Sequence, residues 1–164
     1  MIVVDANIVI YLVCDTPFTN LAGKVRQKEV RWIVPDLWEA EVLNGLMNMM
    51  RSGFLDLDDA ILAWSNAARA LSGQIHVCEP PAILRMAKQS GTTAYDAYYV
   101  SLARSMSIPL VTEDRELLRK FPDSAVSMNQ FLRGPTPATL REEHSVYGRK
   151  QKRGRQGILK RSRS

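Results

Sequence analysis

Histidine and cysteine are scarce in this chain of 164 residues, which carries only His76, His144, Cys14 and Cys78. Two histidines leave little material for a histidine-based zinc site or a Ser-His-Asp arrangement, and no Cys-x-x-Cys pattern occurs. Each cysteine lies inside an apolar segment and reads as a buried thiol in a reducing, cytoplasmic compartment rather than as half of a disulfide. Long apolar runs are also lacking. The longest, Ile8 to Cys14, is about a third of the roughly 18 residues that a membrane-spanning helix needs, so no membrane span is expected. No basic residue precedes the first apolar stretch and Asp5 interrupts it, which argues against a signal peptide.

What is present suffices for one ordinary domain: 46% of residues are hydrophobic and 24% charged. The net charge of +5 is unevenly spread. Residues 1–132 hold 12 basic and 15 acidic side chains, a net of −3, whereas residues 133–164 hold 10 basic and 2 acidic, a net of +8. The boundary falls at Gly134-Pro135-Thr136-Pro137, a linker composition. The expected organisation is therefore a mildly acidic domain over 1–132 and a basic tail over 133–164 too poor in apolar residues to order itself.

Short apolar runs at Met1–Val4, Val30–Val34, Ile75–Cys78, Ile108–Thr112 and Ala125–Met128 read as strands. Between them the pattern predicts helices over 6–13, 19–28, 36–51 (with Asp36 as N-cap), 55–72, 82–89, 93–105 and 115–120. Strands alternating with helices imply an α/β fold with a mostly parallel sheet. In such a sheet, strand C-termini and helix N-termini share one edge, where ligands bind. Four acids fall there. Asp5 follows the first strand, Asp96 lies in the first turn of its helix, and Asp114 begins a helix after the fourth strand. Glu41 is placed about a turn and a half into its helix, roughly 7 Å from the start at 1.5 Å per residue. Four carboxylates in one cleft repel unless cations neutralise them. An all-oxygen donor set selects Mg²⁺ or Mn²⁺, which activate water for phosphoryl chemistry. Each acid also has a plain structural explanation. Asp5 and Asp114 can cap helices, Asp96 can complete a capping arrangement with Thr93, and Glu41 can be a solvated helix residue.

Four segments sharpen this choice: VVDANIVIYL (3–12), VPDLWEAEVLNGL (34–46), TTAYDAYYVSLA (92–103) and PLVTEDREL (109–117). In order and spacing they resemble the PIN-domain nucleases, and within them the VapC-type toxins of toxin–antitoxin pairs. The resemblance covers roughly residues 1–130. It implies a three-layer α/β/α fold with a five-stranded parallel sheet, and Mg²⁺- or Mn²⁺-dependent endonuclease activity, usually on RNA, leaving a 5′-phosphate and a 3′-hydroxyl. It assigns the catalytic and metal-binding acids to Asp5, Glu41, Asp96 and Asp114, with Asn7, Asn44 and Thr112 in support. A cognate antitoxin protein and a homodimer are the implied partners.

Two features remain open between packing and function. Leu46, Met47, Met49, Met50, Ile61, Leu62, Trp64 and Leu71 can pack two helices together, or leave a seam for a partner. Tyr95, Tyr98 and Tyr99 flank Asp96 on one helical face, which reads as core unless one lies beside a nucleotide. The basic tail can attract RNA phosphates without sequence preference. The competing functional reading is a catalytically silent RNA-binding or protein-interaction module on the same fold. A phosphatase is disfavoured because Asp5-Ala6-Asn7 lacks a second aspartate to act as acid.

Overall fold

Four of the five strands among the described residues are short, apolar and buried, as a parallel sheet covered on both faces requires, while the edge strand Ile75–His76 is exposed. The computed structural model describes residues 1–134. In chain order the elements are β1 (Ile2–Val4), α1 (Ala6–Val13), α2 (Thr19–Lys28), β2 (Trp32–Pro35), α3 (Trp38–Arg51), α4 (Leu57–Ala70), β3 (Ile75–His76), α5 (Pro80–Ser90), α6 (Ala94–Met106), β4 (Leu110–Val111), α7 (Arg115–Lys120), β5 (Ala125–Val126) and α8 (Met128–Arg133). The five strands lie in the order β3-β2-β1-β4-β5, all parallel. The α/β architecture read from the sequence is therefore the observed one.

The two-residue period of a strand divides the core into two layers. Ile2, Val4, Trp32, Val34, Val111 and Val126 face one way, into a cluster with α1, α2, α3, α4 and α8. Val3, Ile33, Leu110 and Ala125 face the other way, against α5, α6 and α7. Register then locates the functional edge. Val4 pairs with Val111, so Asp5 and Thr112 both emerge one residue beyond the paired strands. The ladder carries on through Asp5 N–H to Val111 O (3.4 Å) and Thr112 N–H to Val126 O (3.0 Å).

Three expectations need correction. Pro35 and Asp36 do not open a helix. Pro35 ends β2 paired with His76, and Asp36 N–H donates to His76 O at 3.1 Å, so the sheet holds Pro35 as strand and Asp36 falls in the turn that follows. The helix starts at Trp38 without a side-chain cap, and Glu41 consequently lies in its first turn rather than deeper. Met128 belongs not to the last strand but to α8, which the sequence reading passed over. A capping box starts it, with Ser127 accepting from Gln130 N–H and the Gln130 side chain accepting from Ser127 N–H. Lys28 Nζ then donates to the Phe131 and Leu132 carbonyls at 2.6 and 3.2 Å, tying α8 to α2. Finally, the helix predicted from Ala82 begins at Pro80, since prolines fit a first turn that needs no N–H donors.

Cys14 and Cys78 are free and buried. Among the described residues, no helix is long and apolar enough to cross a membrane. Apart from Arg133 and Gly134, the predicted basic tail lies outside the described residues.

Replacing Ser127 with Ala removes the side-chain acceptor that starts α8. The expected cost is about 1 kcal/mol, measured as a lower urea midpoint at unchanged m-value.

Candidate active site

The four acids named from the sequence reach one cleft from four separate elements. Asp5 caps α1, Glu41 lies in the first turn of α3, Asp96 in the first turn of α6, and Asp114 caps α7. All four line a cavity of about 250 Å³, together with the exposed amides of Asn7 and Asn44. The lining also includes Tyr99 and Asn48, which the sequence reading had not placed there. Asn48 was legible in principle, since it lies four residues after Asn44 and seven after Glu41, on the same helical stripe. No lysine, arginine or histidine lines this cavity among the described residues.

Capping orients three of these carboxylates, at Asp5 and Asp114 directly and at Asp96 through Thr93, whereas Glu41 is half-buried and hydrogen-bonded rather than a solvated helix residue. Asp5 Oδ1 accepts the Ile8 N–H at 2.9 Å. Asp5 Oδ2 accepts the hydroxyl of Thr112, itself fully buried. The same Thr112 oxygen accepts the Asp114 N–H at 2.9 Å, so one hydroxyl links two of the acids. Asp114 Oδ1 accepts from Glu116 and Leu117 N–H at 2.7 and 3.0 Å. Asp96 Oδ2 accepts the Thr92 and Thr93 hydroxyls at 3.1 and 2.7 Å. Glu41 Oε2 accepts the Tyr99 hydroxyl. Among the described residues, Asp96 Oδ1, Asp114 Oδ2 and Glu41 Oε1 take no protein donor. Three of the four carboxylates thus have one oxygen held and one uncommitted.

The tyrosine face also separates. Tyr95 is 65% exposed, Tyr98 is half-buried, and Tyr99 is buried with its hydroxyl at the cleft.

Electrostatics reflects the crowding. Burial pushes the Asp5 carboxyl up to about 6, aided by the charges of Glu41 and Asp114 and opposed by the Thr112 and Ile8 hydrogen bonds. Burial raises Glu41 as well, against the pull of Tyr99, and the Asp96 charge adds to the rise. Tyr99 lies far above an ordinary phenol, through burial first and then the Glu41 charge, so it is an O–H donor at any working pH. Helix N-termini on all four sides moderate the repulsion by favouring negative charge. Among the described residues, no three carboxylates are gathered tightly enough to hold a single ion as they stand. The donor chemistry nonetheless fits a hard divalent cation: oxygens only, several uncommitted, and no basic side chain in the lining among the described residues.

The raised Asp5 value has a consequence for stability. The native state holds this proton more tightly than the unfolded chain, so Asp5 subtracts stability as pH rises from 3.8 to about 6. In chelator at pH 7.5, Asp5→Asn should therefore be more stable than the parent by about 1–3 kcal/mol. The gap should close below pH 4 in urea titrations.

Comparison with known proteins places the chain. A family model described as PIN domain matches residues 2–122. Exonuclease VapC9 of Pyrobaculum aerophilum is 38% identical over 86 residues, which span 49% of this chain and 59% of that protein. Ribonuclease VapC3 of the same organism is 31% identical over 128 residues, covering 74% of this chain and 95% of that protein. The crystal structure of PAE2754 from Pyrobaculum aerophilum superposes with a TM-score of 0.64 at 26% identity, over 80% of this chain and 85% of that one. With the matched region running from β1 past Asp114 and so containing all four acids, the chain belongs to the PIN domain family.

Proposed function

We propose that this protein is a metal-dependent endoribonuclease, acting as the toxin of a toxin–antitoxin pair. The observation that carries the reading is the cleft itself: four carboxylates from four elements, no lining cation, and three oxygens left uncommitted. The relatives named ribonuclease and exonuclease support a nucleic-acid substrate. Asp5, Asp96 and Asp114 would hold Mg²⁺ or Mn²⁺, with Glu41 ligating or orienting water. When bound, such an ion neutralises charge on the scissile phosphate and acidifies an attacking water.

The chain's own residues prepare that chemistry. Thr112 fixes Asp5 and the start of α7 together, and Thr92 and Thr93 fix Asp96. Asn7 and Asn44 offer amides to the ribose or phosphate of a bound strand. No histidine lines the cleft among the described residues, so a histidine-driven route through a cyclic phosphate lacks its base. The net charge of +8 over residues 133–164 would draw in RNA that an acidic cleft alone repels.

For the antitoxin or a second copy, α3 and α4 present a surface. Leu46 is buried, and Trp38 stacks on Trp64 at 5.3 Å between centroids, which accounts for part of the apolar set as packing. Leu43, Met47, Ile61 and Leu62 stay exposed, as does Phe54 between the helices. A chain that remains monomeric on sizing chromatography and indifferent to a co-expressed neighbouring gene product would count against the toxin role.

Structured RNA should be cut in Mn²⁺ and not in EDTA. Asp96→Asn and Glu41→Gln should each lower the rate by about 100-fold or more, the loss of several kcal/mol of transition-state stabilisation. Cutting that persists in chelator or in both variants would overturn the metal mechanism, and turnover of small phosphate esters but not RNA would point to a phosphatase. Truncation after Pro137 should weaken RNA binding and flatten its salt dependence.

A further inference from the structure

Glu41 presents a physical problem that the other three acids do not. Asp5, Asp96 and Asp114 have short side chains fixed by caps, whereas Glu41 has one more rotatable bond, stands on an uncapped helix, and feels the Asp96 charge. Left alone, repulsion and side-chain entropy would swing it out into water, as Glu39 on the same turn is exposed. One contact opposes this: the Tyr99 hydroxyl donates to Glu41 Oε2 across 58 residues of sequence.

We infer that Tyr99 is a positioning residue for the candidate metal centre, holding Glu41 in the cleft by one oxygen and leaving Oε1 for the cation or its water. Its placement suits that role. Tyr99 lies three residues after Asp96 on α6, so the two side chains share a helix face one turn apart. A single rigid helix thereby supplies one carboxylate directly and secures another from α3. The ring is only 3% exposed and packs in the core beneath the sheet, so the hydroxyl is carried on a body that cannot swing. A phenol carries its proton at neutral pH, and toward a carboxylate oxygen it acts as the donor. The hydrogen bond thus fixes which oxygen is occupied and which is offered.

This inference rests on the metal-dependent reading above, and the test separates the two. Mn²⁺ is titrated into the full-length protein and free Mn²⁺ is followed by electron paramagnetic resonance, which needs no turnover. Tyr99→Phe keeps the ring and removes only the hydroxyl. It should weaken Mn²⁺ binding by about 10-fold or more, the range for removing a residue that orients a ligand. In a Glu41→Gln background the same change should have no further effect. Circular dichroism should be unchanged throughout. Wild-type affinity in Tyr99→Phe would overturn the positioning role and leave the metal reading standing. An equal loss in the Glu41→Gln background would overturn it too, by showing that the hydroxyl acts through something other than Glu41. No Mn²⁺ binding by the wild type would overturn both.

Discussion

The organising constraint in this protein is the repulsion among four carboxylates that must share one small cleft. Bringing like charges together opposes folding, and burial adds to the opposition. The fold answers with donors rather than with counter-charges. Helix N-termini converge on the acids, three threonine hydroxyls and one tyrosine hydroxyl are spent on them, and no basic side chain among the described residues lines the cleft. A lysine or arginine there would satisfy the acids permanently. Hydroxyls and amides restrain them while leaving the cleft negative, which is the condition for attracting a cation.

The parallel sheet makes this arrangement economical in sequence. Because strand ends and helix starts coincide at one edge, a residue just after a strand is both an N-cap and a cleft residue. Asp5 and Asp114 each cap a helix and line the cleft. Capping by these acids is therefore compatible with a place in the cleft. A cap orients the carboxylate: at Asp114 it leaves Oδ2 uncommitted, whereas at Asp5 the second oxygen accepts the Thr112 hydroxyl.

Much of this was legible before any coordinates. The alternation of apolar runs with helical segments gave the α/β class, and the acids at segment boundaries gave the cleft. The local positions of Asp5, Asp96 and Asp114 follow from strand and helix geometry alone. What escaped depends on long-range pairing. Pro35 looks like a helix opener, but β3 pairs with it and accepts a hydrogen bond from Asp36, which delays the start of α3 and so brings Glu41 into its first turn. The Ser127–Gln130 capping signal was in the sequence and lost to the apolar look of Ala125–Met128. Tyr99 could not be told from Tyr95 and Tyr98 by periodicity. All three are near neighbours on α6, and only the approach of α3 singles one out. The exposed apolar residues of α3 and α4 were recognised as ambiguous, and they divide between packing and surface.

The position of β4 carries one more consequence. Strand β1 lies at the middle of the sheet, and its partner on one side, Leu110–Val111, is separated from it by most of the domain. Asp5 meets the hydroxyl of Thr112 only once that strand has been inserted. During synthesis from the N-terminus, a ribosome-bound chain can therefore carry Asp5, Glu41 and even Asp96 while having no assembled cleft. The cleft is thus completed, by the topology of the sheet, only when nearly the whole domain has emerged.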